Sequence, residues 1–356
     1  MSDNKKLFNI TSRFIPSSEI GEIKELGDGL INSTFVVVSP KGERTHVLQK
    51  INHHVFTDVA GLMFNIDAVT RHLRKKGVMT LHFLPDTSTG KLWVETEGEY
   101  WRLMDYIPDS VSQNVVSPES SNIVGKCFGQ FEAQLADIPE HLNDTIPNFH
   151  NMESRLGQLD ESRAKCTNSE RLLKSKELLE GIDAVRDEMT LGEKLGRSGK
   201  LPKRICHCDT KVNNILFSKT TGDVLCVIDL DTVMPSFVFS DYGDFLRFAA
   251  ATAPEDEPDI TRMHFNMEIF KAFTSGYIES TKPFLTPIER ENLPFAATLF
   301  PYMQTVRFLA DYLDGDHYFR ANYPEHNFVR ARAQFALYKD AVAHVDAMKE
   351  YINSLP

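Results

Sequence analysis

Cysteine, long apolar runs and basic charge are all scarce in this chain of 356 residues, and each scarcity closes off a class of protein. Cysteine occurs five times, at positions 127, 166, 206, 208 and 226, with no repeated spacing. An odd, irregular set is not a disulfide framework and predicts reduced thiols in a cytosolic setting. Cys206 and Cys208 flank His207, but no second pair completes the four ligands of a structural zinc site. No apolar run approaches the roughly eighteen residues of a membrane span. The polar start, Met1 to Lys6, is not followed by the apolar segment of a secretory signal. Lysine and arginine number 39 against 50 acidic residues, a formal net charge of -11, which argues against nucleic acid or an anionic membrane as the main partner. Internal repeats and long low-complexity tracts are also lacking. What remains is an ordinary globular composition, 42% hydrophobic and 25% charged, long enough for two lobes of unequal size.

The order of patterns divides the chain. Residues 7–14 predict a short amphipathic helix and 19–26 an alternating strand. The turn signal Gly27-Asp28-Gly29 follows, then β-branched and aromatic strands over 32–38 and 45–51. Helical spacing of Leu62, Ile66, Val69 and Leu73 runs to Lys75, Lys76 and Gly77, a basic last turn and a glycine stop. Further strands are expected over 81–84, 91–95 and 100–107, with Pro108 to Ser110 breaking the last. From Pro118 the character turns helical: 119–134, most of 154–195, 259–280, 287–313 and 327–352. The expected class is α+β: a small antiparallel-sheet lobe over residues 1–106 and a larger, mainly helical lobe over 107–356.

Between the helical stretches lies 205–248, where the chemistry concentrates. A polar loop with His207, Asp209, Lys211 and Asn214 leads into a hairpin whose second strand, 224–228, delivers Asp229. Asp209 and Asn214 lie five positions apart in the pattern H-x-D-x-K-x-x-N. Asp209 suits a base for an acceptor hydroxyl, and Asn214 and Asp229 offer hard oxygens to a magnesium ion on nucleotide phosphates. Lys211 suits a point charge at a transferring phosphoryl group. His207 reads as a packed, hydrogen-bonded support. Asp231 reads as a polar turn residue or a second ligand, and Asp241 as a helix N-cap or a buried brace for the loop. The turn at Gly27 and Gly29 allows close approach of backbone N–H groups to phosphates, or is simply a hairpin turn; no Gly-Lys-Ser/Thr follows it, so it is not a Walker A loop. The mixture of aromatic and charged residues around Arg307 and Tyr318 suits a sugar or, equally, an amphipathic helix with a solvated acidic end.

At His207, Asp209, Asn214-Ile215-Leu216 and Ile228-Asp229 the chain resembles the aminoglycoside phosphotransferase and choline kinase superfamily, a branch of the protein-kinase-like fold. That superfamily carries a loop H-G-D-x-H-x-x-N-I-L and then a strand ending I-D. Cys208 stands in place of the glycine, and Lys211 stands where many aminoglycoside kinases have histidine, which disfavours that subfamily. Gly27-Asp28-Gly29 with Ile31, Asn32 and Thr34, the run from Ile228 to Pro235, Phe308 to Leu313 and Tyr323 to Asn327 together resemble the bacterial N-acetylhexosamine 1-kinases, a likeness spread over about 8–338.

The resemblance implies a two-lobed kinase fold and transfer of the ATP γ-phosphate to the anomeric hydroxyl of N-acetylglucosamine or N-acetylgalactosamine. It implies Asp209 as base, Asn214 and Asp229 as magnesium ligands, and Arg307 and Tyr318 in the segment that holds the sugar. Gly27, Asp28, Gly29 and Asn32 would cover the phosphates, and the backbone of Met104 and Tyr106 would meet adenine. The kinase pattern places a lysine on the third strand, paired with an acid on the next helix. Here Gln49 aligns with that lysine, Lys50 is its neighbour, and strand alternation lets only one of them face the phosphates. Asp67 aligns with the acid. The expected partners are therefore ATP, magnesium and a small sugar, with no nucleic acid, membrane or obligate protein partner, in the cytoplasm. Other acceptors of this superfamily, homoserine, choline or methylthioribose, and a nucleotide-binding pseudokinase are the alternatives.

Overall fold

A computed structural model describes residues 3–27 and 31–356. The chain forms two compact units, neither of them a continuous stretch: Met1–Gln113 with Asp137–Pro147 and Asn213–Met234, and Asn114–Ala136 with Asn148–Val212 and Pro235–Pro356. The architecture is α+β, a small antiparallel sheet and a larger helical part.

In the first unit, helix α1 (Asp3–Thr11) precedes strands β1 (Glu22–Glu25), β2 (Ser33–Val38) and β3 (Arg44–Ile51). Helix α2 (Val59–Lys75) and strands β4 (Phe83–Leu84), β5 (Val94–Thr96) and β6 (Glu99–Asp105) follow. The sheet order is β1-β2-β3-β6-β4, with β5 also on β6, and the pairs are antiparallel. Alternation buries Val37, Leu48, Trp101 and Leu103 against Leu7, Ile10 and Phe14. Asp58 caps α2 by accepting the Gly61 N–H, and Gly77, at φ +76, lets the chain leave it.

A second, three-stranded sheet joins β7 (Ser110–Ser112), β8 (Ile215–Ser218) and β9 (Val224–Val227) in the order β9-β8-β7. Strand β7 begins at Ser110, the last residue of the expected break, and runs on through Val111 and Ser112, for which no strand is expected. Three residues carry no alternation to read, and the strand exists only because Ser110, Val111 and Ser112 pair with Ser218, Phe217 and Leu216 far along the chain.

The second unit contains α3 (Pro118–Leu135), α4 (Met152–Lys165), α5 (Ser169–Met189), α6 (Leu191–Arg197), α7 (Phe239–Ala249), α8 (Met267–Thr281), α9 (Pro287–Glu291), α10 (Leu293–Asp314), α11 (His326–Ala343) and α12 (Val345–Ser354). Helix α10 is buried along almost its whole length, and its Tyr302, Val306 and Leu309 pack with Met152, Leu156 and Ile182. Several long helical expectations are shorter helices in fact. Asn266 accepts the N–H groups of Glu268 and Ile269, so α8 begins there rather than at 259. Pro294 has no N–H to give and clashes with a preceding turn, so the 287–313 stretch breaks between α9 and α10. Among the described residues no helix is long and apolar enough to cross a membrane.

Candidate active site

The first unit supplies the candidate phosphate and metal residues. Gly27 sits at φ +71, a left-handed conformation that a side chain would strain. Asp28 and Gly29, also named for this turn, lie outside the described residues. Asn32 is buried, and both ends of its amide are engaged: Oδ1 accepts the Asn52 N–H at 2.9 Å and Nδ2 donates to Asp231 at 2.6 Å.

Gln49 and Lys50 point to opposite faces of β3. Lys50 pairs with Glu99 at 2.5 Å, beside Lys6. Gln49 turns to Arg102, its cross-strand partner on β6, accepting from Nε at 3.0 Å and Nη2 at 2.8 Å, and donates to Thr34 at 3.1 Å. Arg102 in turn forks onto Asp231, Nη1 to Oδ1 at 2.5 Å and Nη2 to Oδ2 at 3.0 Å. Both partners are only 2% exposed. A planar guanidinium can serve a carboxylate and an amide at once, which an ammonium cannot. Asp67, the aligned helix acid, instead faces the surface beside Arg71, while α2 offers Met63 to Arg102 at 3.9 Å. The cation at this place therefore comes from β6 and its acid from the loop after β9.

That loop also carries Asp229. The β8–β9 register pairs Ile215 with Val227, and the Ile228 N–H donates to the Asn214 carbonyl at 2.9 Å. Asn214 and Asp229 consequently leave the same end of one hairpin. Asp229 takes φ +59, which aspartate tolerates better than most residues, and its side chain is on the exposed side while Asp231 is buried. A carboxylate and a carboxamide oxygen fit a hard divalent cation. Met104 is buried in β6. The N–H groups of Asp105 and Tyr106 donate to the carbonyls of His82 and Thr45, so a ligand there meets carbonyls rather than those donors.

The second unit carries Asp209. Asp241, wholly buried on α7, accepts the N–H groups of His207 and Cys208, each at 2.7 Å, and its carbonyl takes the Thr210 hydroxyl at 2.8 Å. One turn on, Asp244 accepts the Thr210 N–H at 3.2 Å. The His207 ring packs edge-on against Phe128 and Phe131. Cys208 takes φ +62, which explains the glycine of the pattern; a side chain there costs about 1–2 kcal/mol. Burial pushes the thiols of Cys206 and Cys208 well up, which favours the protonated form of both. Lys211 pairs with Asp209 at 2.5 Å. Burial works to lower its ammonium, but Asp209 and Asp244 outweigh burial and raise it.

Three cations gather in this unit: Arg307, which the sequence singled out, and Arg155 and Arg247, which it did not. Arg247 feels Asp244, Glu255 and Asp209. Arg307 lies over the rings of Phe149 and Phe319, at 5.7 and 5.3 Å, and donates to Gln304 at 3.1 Å. Burial lowers the Arg307 guanidinium, and burial together with Arg307 brings Arg155 down to about 10. Burial, then Arg307, Arg155 and Arg247, hold His150 well below the usual histidine range, so it is neutral. Tyr318 is 70% exposed on a loop whose N–H groups at His317, Tyr318 and Phe319 all donate to Asp311, at 3.0, 2.7 and 2.9 Å. Arg102 had a readable signal, a charge inside the apolar run Tyr100 to Met104; Arg155 sits in a charged helix and had none.

Residues 22–273, more than half of the chain, match the model of the phosphotransferase enzyme family. The chain belongs to the phosphotransferase enzyme family. Solved structures share this phosphotransferase fold at low identity. An aminoglycoside phosphotransferase from Alicyclobacillus acidocaldarius matches with TM-score 0.63 and 13% identity over 98% of this chain and 96% of its own. A choline kinase from Cryptosporidium parvum matches with TM-score 0.58 and 16% identity, over 98% of each. A spectinomycin phosphotransferase, solved in complex with ADP and spectinomycin, matches with TM-score 0.57 and 12% identity over 97% and 98%. The protein is thus a phosphotransferase-family member of the protein-kinase-like fold.

Proposed function

We propose that this phosphotransferase is a sugar kinase dependent on ATP and magnesium, which phosphorylates the anomeric 1-hydroxyl of N-acetylhexosamines. The observation that carries the choice of acceptor is the cation cluster of Arg155, Arg247 and Arg307 around His150, with Arg247 reaching Asp209 and exposed Tyr318 next to Arg307. Arg247 is taken up by Asp244 and Glu255, but Arg155 and Arg307 donate to the neutral oxygens of Phe149, Gln158 and Gln304, so their charge disfavours choline, ethanolamine or an aminoglycoside, whose own charge is positive. The cluster suits an oxygen-rich neutral acceptor, to which guanidinium groups donate hydrogen bonds while an aromatic face covers its C–H face. The structure of a relative with bound ADP supports the nucleotide. The resemblance to N-acetylhexosamine 1-kinases supports the acceptor.

In this reading Asp209 accepts the proton of the 1-hydroxyl as its oxygen bonds to the γ-phosphorus. The bond from that phosphorus to the β–γ bridging oxygen breaks, and ADP leaves. Lys211 holds Asp209 in place and lends a positive charge to the transferring group. Asn214 and Asp229 would hold magnesium, whose charge neutralises the phosphates when bound. Gly27 lies at the phosphates, and adenine lies at Met104 to Tyr106.

The test is an acceptor panel of N-acetylhexosamines, neutral hexoses, choline, homoserine and methylthioribose, read by ADP release, with the phosphate position read by phosphorus NMR. Anomeric phosphate on N-acetylhexosamines is expected, and Asp209→Asn should lower kcat by about 10²–10⁴-fold with ATP binding kept. Faster turnover of choline or homoserine, or a phosphate elsewhere on the sugar, overturns the acceptor; ATP binding without ADP release on any acceptor overturns the enzyme.

A further inference from the structure

Beneath the loop that carries Asp209, the second unit buries two carboxyl groups against each other. Glu132, on α3, is 2% exposed, and Asp241, on α7, is wholly buried; a carboxylate oxygen of each lies within 4.8 Å of the other. Two carboxylates cannot share a hydrogen bond unless one carries a proton, and like charges this close in a dry site cannot both be ionised. The surroundings decide which of them holds it. Asp241 accepts two backbone N–H groups, from His207 and Cys208, and such donors favour the charged form. Glu132 accepts no backbone N–H: its Oε2 accepts the Tyr277 hydroxyl at 2.8 Å, a single donor, and its buried Oε1 meets no donor group. An oxygen without a donor, facing a carboxylate, is where a carboxylic acid O–H belongs.

The rest of the neighbourhood agrees. From the strand Arg204–Cys206 the group facing this pair is the buried Cys206 thiol, and from α8 it is Tyr277. From α9 comes Glu289, whose charge is taken by Arg204 at 2.9 Å. Burial raises the Asp241 carboxyl, but His207 and the N–H groups of His207 and Cys208 work against that rise. Burial first, and Asp241 second, push the Glu132 carboxyl well above the usual range.

We propose that Glu132 is a positioning residue of this phosphotransferase that works as a neutral acid, donating its proton to Asp241 so that Asp241 can hold the His207–Cys208 backbone and, through it, Asp209. Asp241 thereby serves four partners: two backbone N–H groups, the Thr210 hydroxyl through its carbonyl, and the Glu132 acid. The kinetic part of this inference rests on Asp209 as the base; the titration part does not depend on the acceptor.

The sign of the pH effect follows from the proton. Below the ordinary glutamate range both folded and unfolded chains carry it. Above that range the unfolded chain releases it and the folded one keeps it, so native stability falls as pH rises, until the folded value is passed. A glutamine at 132 donates the same hydrogen bond with its amide and has no proton to lose.

The experiment compares full-length wild type, Glu132→Gln and Glu132→Ala. Unfolding is followed between about pH 5 and pH 8, and kcat and the KM for ATP are measured at neutral pH on the acceptor found by the panel. The folded-to-unfolded ratio of Glu132→Gln should gain on wild type by up to about tenfold per pH unit. Glu132→Gln should also recover most of the turnover that Glu132→Ala loses, with the KM for ATP unchanged in all three. Parallel pH curves for wild type and Glu132→Gln overturn the proposal, as does a Glu132→Gln enzyme as slow as Glu132→Ala. So does a stoichiometric metal ion in the wild type that Glu132→Gln lacks, because Glu132, Cys206 and Asp241 would then be ligands. A wild type inactive on every sugar counts against the acceptor assignment alone, and the unfolding curves still decide the role of Glu132.

Discussion

At the scale of single residues, Arg102 is the buried cation beside Gln49, the residue that aligns with the lysine of the kinase pattern. Its guanidinium joins Gln49 on β3 to Asp231, two residues past Asp229, and Asp231 joins it to Asn32 just after the glycine-rich turn. Removing one partner of a buried ion pair strands the other, at a cost of about 3–5 kcal/mol, whereas replacing both by apolar groups is often neutral. Arg102→Met should therefore lower the denaturation midpoint strongly. Arg102→Met combined with Asp231→Leu should recover most of it. Equal midpoints for wild type and Arg102→Met would remove the pair from the stability of the first unit. Candidate residues were legible where the chemistry is local. His207, Asp209, Lys211 and Asn214 stand in one loop, and their spacing can be read without the fold. Arg155 and Arg307 were not legible as a pair, because the fold brings together a charged helix and the buried α10 from positions far apart in the chain. Gln49 and Lys50 are neighbours in sequence, and only the strand pairing shows which partner each takes: Arg102 for Gln49 and Glu99 for Lys50.

At the scale of elements, the seat of Glu132 depends on how closely α3 approaches α8. A Cβ on Gly125 would lie 2.3 Å from the Phe273 carbonyl oxygen, and one on Gly276 would lie 2.2 Å from that of Asn122. Backbone atoms on facing helices cannot step aside, so Gly125→Ala should force the helices apart and cost about 1–3 kcal/mol. Thermal unfolding checks this, and an unchanged midpoint would show that the helices have room. Strands β1 to β3 and helix α2 were legible from alternation and helical spacing, since each buries one face. Helix ends in the second unit were less so. Periodicity continues through α9 and α10 and through α11 and α12, and the breaks depend on single residues, Asn292 with Pro294 and then His344. Strand β7 had no local signal at all.

At the scale of the whole molecule, the response to pH has two opposed ends. Burial works to raise the Asp86 carboxyl, but hydrogen bonds from Thr89, Arg13 and Ser88 outweigh it and hold the group far below the usual carboxylate range. A depressed carboxyl stabilises the fold above its unfolded value and loses that contribution as pH falls. The stability gap between wild type and Asp86→Asn should then be full above about pH 4 and close on acidification; a gap independent of pH would show that the charge is not what matters. The alkaline end belongs to Glu132, whose sign is opposite. The interrupted path of the first unit has a consequence for the chain while it is being made. Arg102 leaves the ribosome long before its partner, 129 positions further on. Until Asp231 emerges, that guanidinium has no carboxylate waiting for it, and β7 has no strand to pair with. The first 113 residues are thus unfinished rather than autonomous, and a nascent chain stalled before residue 234 should remain sensitive to protease at its amino-terminal sheet.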